Sequence, residues 1–134
     1  MSHKMTLVTE LRERDFICAA LDALEVPYDV GENICIVGYY GNVVDRGEFR
    51  ITKSALRKAG ISAMGDVGFK LTDDGAYQMI FDGMDQSRLQ TGLVEPLTQQ
   101  YNVAAALAWA EAEGYSAEIQ HLENGDIQIV TMAW

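Results

Sequence analysis

The 134-residue sequence predicts an α+β domain, a mainly antiparallel sheet with two principal helices packed on one face. Three observations carry this. Short apolar or alternating runs come in pairs separated by Gly, Asp and Asn, the mark of hairpins rather than parallel crossovers. Two longer segments, near 15–25 and 93–113, repeat apolar residues at helical spacing. The composition, 49 % apolar and 22 % charged with two prolines and no Gly/Ser-rich linker, fits a single domain over residues 1–134 with its own core.

The elements follow in order. "HKMTLVTE" alternates well enough for a first strand. "DFICAALDALE" places Phe16, Ala20, Ala23 and Leu24 on one helical face with Ile17 and Leu21 beside them, while Arg12, Arg14, Asp22 and Glu25 face water. Asp15 or Thr9 is the expected cap, and Pro27 the expected stop, since the residue before proline avoids helical geometry. Tyr28–Val30 and Ile34–Tyr40 read as strands bent at "GEN", and "EFRIT" as a further strand. "KSALRKAGISAMG" fits either a short helix or a mobile loop.

The stretch from Asp66 to Gly83, "DVGFKLTDDGAYQMIFDG", reads as a hairpin. Val67, Phe69 and Leu71 share one face of its first strand, and Tyr77, Met79 and Phe81 alternate with Gln78, Ile80 and Asp82 on the second. Asp73, Asp74 and Gly75 supply the turn, glycine accepting left-handed geometry freely. "LVEPLTQQYNVAAALAWAEAEGY" is a helix with an apolar stripe of Leu93, Leu97, Tyr101, Ala105 and Ala108. Pro96 lies in a first turn or breaks two helices, and Gly114 ends the segment. "SAEIQHLENGDIQIVTMAW" is a last hairpin whose Asn124-Gly125 pair suits a type I′ turn. The order is β-α-β-β-β-β-α-β-β, for which a ferredoxin-like core with extra strands is one topology.

Motifs for chemistry are sparse. Asp73, Asp74, Asp82 and Asp85 lie at two ends of a hairpin, without the regular ligand spacing and closing glutamate of a calcium loop. "GYYG" at Gly38–Gly41 lacks the lysine and the strand-to-helix context of a phosphate loop, and reads as a strand-end turn. His3, His121, Cys18 and Cys35 share no close ligand spacing, so reduced, buried thiols and surface histidines are expected. No nucleophile elbow or His-Glu helix pair is present. The expected cofactor and metal sets are therefore empty, and a non-enzymatic protein is expected.

Charge is more informative. Twenty acids against ten bases give a net charge of −10, the wrong sign for direct nucleic-acid binding. Arg46, Arg50, Lys53, Arg57 and Lys58 form one locally basic segment. No Lys or Arg follows Arg88, whereas Glu95, Glu111, Glu113, Glu118, Glu123 and Asp126 do. No apolar run reaches membrane-spanning length, and "MSHKMTLVTELRERDF" has no signal-peptide core, so an intracellular, cytoplasmic protein is expected.

Several fragments occur in the order of a known family: "MSH", Thr9, Asp15 before "ALDAL", "GYYG", "DVGF", a tyrosine strand ending near an aspartate, "QQY", "EGY" and "NGDIQI". This resembles the small uncharacterised-domain family of cyanobacteria, algal plastids and some phages, often called a hypothetical chloroplast reading frame. Lys4 stands where members usually carry an aromatic residue. The resemblance brings no established activity. It implies an accessory role in the cytoplasm or plastid stroma, with an AAA-type ATPase as one candidate partner.

Two functions are expected from these readings. The first is an adaptor acting through protein–protein contacts, with Tyr39, Tyr40 and Trp134 as aromatic anchors; a homo-oligomer is compatible with it. The second is an acidic phage-type inhibitor that presents Glu111, Glu113, Glu118 and Glu123 as phosphate mimics to a nucleic-acid-handling protein.

Overall fold

The computed structural model describes residues 4–133. β1 (Lys4–Val8) leads to α1 (Arg14–Ala23), then to a hairpin of β2 (Asp29–Val37) and β3 (Val43–Ile51) and a short helix α2 (Lys53–Lys58). β4 (Val67–Leu71) and β5 (Tyr77–Asp82) follow. A helical run then passes through a 3-10 turn (Gly83–Asp85), α3 (Gln86–Leu89) and a π stretch (Gln90–Val94) into α4 (Glu95–Ala112). β6 (Tyr115–His121) and β7 (Ile127–Ala133) close the described chain.

The main sheet has the order β1-β5-β4-β3-β2, and β6-β7 form a sheet of their own. Every neighbouring pair is antiparallel. The α+β class holds. A ferredoxin-like core does not, because its split βαβ unit holds a single strand between its two parallel strands, whereas β1 and β2 here lie at opposite edges with β5, β4 and β3 between them.

One face of β3, β4 and β5 supplies Phe49, Ile51, Val67, Phe69, Tyr77, Met79 and Phe81 to the core. Ile17, Leu21, Leu56, Leu89, Leu93 and Leu97 come down on it from the helices. Phe49 is the centre, edge-on to Phe69 at 6.0 Å and tilted against Tyr77 at 5.4 Å. The expected stripe of α4 is only partly right. Leu97, Val103 and Ala110 are its buried residues, and Ala105 and Ala108 are half-buried, because α4 packs on α1 along one side and on β6-β7 along another.

Both ends of α1 differ from expectation. Neither Asp15 nor Thr9 caps it: Glu13 holds the N-cap position without a side-chain bond, and the Tyr101 hydroxyl accepts from Arg12 N and Glu13 N at 3.1 and 2.9 Å. The helix stops well before Pro27. Val26 N donates to Leu21 O, Glu25 N donates to Asp22 O, and Glu25 takes φ 58°, which together make a Schellman close with a glutamate in the usual glycine position. Pro96 breaks nothing. It sits in the first turn of α4, and the π stretch before it loosens the helix where proline offers no N–H.

β2 runs unbroken through "GEN", absorbing it as a register shift between Val30 and Ile34. It ends at Val37, so Tyr39 and Tyr40 lie in a turn rather than a strand. Its last residues curl over the second face of the sheet, where the Ile36 side chain lies across Gly68. That cover explains why Ile80 and Asp82 are buried although they point away from the helices. "KSALRKAGISAMG" resolves into the short α2, capped by Thr52, whose hydroxyl accepts from Ala55 N at 3.1 Å.

The two hairpin turns share one design. Gly75 N donates to Thr72 O and Thr72 N to Ala76 O; Gly125 N donates to Leu122 O and Leu122 N to Asp126 O. Gly75 and Gly125 have φ of 91° and 89°, and Glu25 is the one non-glycine residue with positive φ among the described residues. Asn124 thus lacks the positive φ of a type I′ turn. Each loop is a three-residue type I turn closed by a glycine bulge.

Candidate functional site

Three buried aspartates organise the loops. Asp66 accepts from Val37 N at 3.0 Å and from Lys53 N, at the start of α2, at 2.9 Å. Asp82 accepts from Met84 N at 3.0 Å and from Tyr39 N at 3.2 Å. Asp85, fully buried, takes Met64 N at 2.9 Å on both oxygens and Gly65 N at 3.1 Å, with Arg88 Nη1 at 3.4 Å. Main-chain N–H groups make such burial tolerable, because each is a charge-assisted donor that replaces water. These carboxylates work as latches. Among the described residues no group of three or more His, Cys, Asp or Glu side chains is placed to hold a metal.

Perturbed titrations accompany this scaffolding. Hydrogen bonding to Cys18, reinforced by burial, pushes the Tyr28 hydroxyl well above the ordinary tyrosine range, and burial raises Tyr77. At Asp45 burial works upward, but the Arg46 N–H and the ammonium groups of Lys70 and Lys4 outweigh it and hold the carboxyl below 3.8. The Thr72 hydroxyl, then the Ala76 N–H, lower Asp74. Cys18 and Cys35 are free and half-buried rather than buried.

The anticipated anchors do not converge. Tyr39 and Tyr40 stack edge-on at 4.8 Å in the turn after β2, and Trp134 lies outside the described residues. The basic segment is dispersed: Arg50 pairs with Asp29 at 2.6 Å and Arg46 Nη1 reaches Asn33 O at 3.4 Å across the β2–β3 hairpin, while Arg57 belongs to α2.

The acidic residues do share a region. Glu111 lies in the last turn of α4, Glu113 caps it, Glu118 is in β6 and Glu123 in the following turn; all are exposed. Their setting is unusual. No residue from Tyr115 to Met132 is buried. Ile119 pairs with Ile129 across the hairpin, and Trp109 leans on Tyr115 at 5.6 Å. Trp109 is 54 % exposed, Met132 59 %, Leu122 43 % and Ile119 39 %. A lone two-stranded sheet has only marginal stability in water, and this one, which contains no Lys or Arg, exposes apolar groups. Trp109, Ile119, Leu122 and Met132 went unrecognised in the sequence because large apolar side chains in such elements are usually covered by packing.

Among the described residues no helix is long and apolar enough to cross a membrane. A family model described as a protein of unknown function (DUF1257) matches residues 20–130, from within α1 to within β7. No curated protein and no solved structure matches.

Proposed function

We propose that this chain, which belongs to the DUF1257 family of proteins of unknown function, is a non-enzymatic intracellular adaptor whose docking face is the β6–β7 hairpin together with the end of α4. The observation that supports this is the hairpin itself, with apolar residues left open and none of its residues buried between Tyr115 and Met132. Its partner is a protein surface that supplies apolar cover for these residues; Glu111, Glu113, Glu118, Glu123 and Asp126 lie on the same elements, with no Lys or Arg after Arg88, and act against acidic surfaces rather than as the anchor. Self-pairing through this face would bring like charges together, so a different protein is the better occupant. An AAA-type ATPase and a nucleic-acid-handling protein are the candidates.

The test is site-specific photocrosslinking in the native host from Leu122 and Met132, which share one face of the hairpin, and, as a control, Tyr40. Crosslinks from the two hairpin positions to one partner, with Trp109→Ala weakening its binding about ten-fold or more, are expected for an anchor of this kind. Crosslinks from Tyr40 alone would move the docking face to the other sheet. Affinity against salt then separates the two functions. Apolar anchoring predicts a shallow dependence, whereas a steep curve abolished in a Glu111→Gln, Glu113→Gln, Glu118→Gln, Glu123→Gln variant would replace the adaptor with the acidic inhibitor.

A further inference from the structure

We infer that the hollow between α2 and α3 binds the phosphate group of a small phosphorylated molecule. It is an open depression of about 520 Å³ lined by Arg57, Gly60, Ser62, Met64 and Arg88. Two arginines thus line one hollow in a chain of net charge −10. Among the other cations Lys4 and Lys70 are held by Asp45, Arg50 by Asp29 and Arg12 by Asp74 O, while Lys53 and Lys58 line no such hollow. Arg57 is held only through Nε, which donates to Ala63 O at 3.2 Å, so both of its Nη atoms lack a protein acceptor among the described residues. Arg88 makes a single long contact with Asp85 at 3.4 Å, and Asp85 is already engaged by Met64 N and Gly65 N. The last turn of α2 favours a cation at Arg57 through the helix dipole, but that leaves its free fork, and Arg88 beside it, unexplained.

The rim is built in advance. Gly60 N donates to Arg57 O, Ile61 N to Leu56 O and Ala63 N to Ile61 O, and Asp85 fixes the next two amides. Gly60 turns the chain at φ 88°. Ordering costs on binding are therefore small. The Ser62 hydroxyl adds a third donor with no partner among the described residues. Two forks and a hydroxyl match the several oxygens of a tetrahedral dianion better than the two of a carboxylate. No carboxylate lines the hollow, since Asp85 lies beneath it. The protein's overall negative charge disfavours polyanions and anionic bilayers, which leaves a small ligand.

The experiment is an NMR titration of the full chain with inorganic phosphate and then glycerol phosphate, at ionic strength held constant with chloride. Saturable shifts of the Gly60 and Ser62 amides and of the Arg57 Nε–H are expected, weakened about ten-fold or more by Arg57→Gln and less by Arg57→Lys. Arg46→Gln, across the sheet, should bind as the wild type does. Shifts that never saturate in the millimolar range, or an affinity unchanged in Arg57→Gln while its spectrum stays folded, would overturn the site. Sedimentation with phosphatidic acid vesicles that depends on Arg57 would overturn the small-molecule source in favour of a lipid headgroup. None of these outcomes depends on the hairpin.

Discussion

Gly68 is where the fold is most sharply testable. A Cβ placed there would sit 1.9 Å from Ile36 Cδ1 and 2.4 Å from Ile36 Cγ1. Carbon atoms in contact prefer about 3.5–4 Å, so even a methyl group overlaps Ile36 by more than an ångström. Ile36 has no room to yield: it is fully buried, and the next residue is tied down by the reciprocal bonds between Val37 and Asp66. Gly68→Ala should therefore lower stability by about 1–3 kcal/mol, the usual range for overpacking. Ile36→Ala alone removes a buried side chain and should cost about 2–5 kcal/mol. In the double variant the added methyl occupies part of the space that Ile36 vacates, so the total should fall short of the sum by about 1–3 kcal/mol. Urea unfolding of the four proteins, with the slope checked for constancy, measures this coupling. Additive losses, or a neutral Gly68→Ala, would refute the placement of β2 across the second face of the sheet.

Glu25→Gly should raise stability by up to about 1 kcal/mol, since glycine takes φ 58° without the penalty a side chain carries; a lower unfolding midpoint would count against the Schellman close. Asp85→Ala should cost about 2–4 kcal/mol by stranding Met64 N and Gly65 N, and Asp85→Asn, which keeps one acceptor oxygen, should recover part of that. Hydrogen exchange at those two amides is the direct readout, and unaltered protection in the alanine variant would exclude the latch. Asp45 titrates below 3.8 in the folded chain, so its contribution is complete above that value and is lost as the pH falls through the depressed one; Asp45→Asn should flatten the acid limb of stability there.

What the sequence determined by itself was local. The α+β class, the hairpin around Asp73-Asp74-Gly75, the core face of Phe69, Tyr77, Met79 and Phe81, and glycine at the left-handed turn positions all follow from side-chain periodicity and backbone preference. Within the region that became the candidate docking face, the acids were legible as composition, since Glu111, Glu113, Glu118 and Glu123 follow the last cation. The exposed Trp109, Ile119, Leu122 and Met132 were not, because an apolar side chain does not by itself say whether anything covers it.

Tertiary structure decided the rest. Tyr101 reaches across from α4 to the amides that open α1, Asp85 closes on a loop some twenty residues earlier, and Ile36 fills the space that Gly68 leaves. Arg57 and Arg88 line one hollow although thirty-one positions separate them in sequence. Each of these pairs is distant along the chain, and a buried amide accepts whichever carboxylate or hydroxyl the packing delivers. Such partners carry no spacing rule, because the sheet order and the curl of β2 that bring them together are set by burial of the whole core.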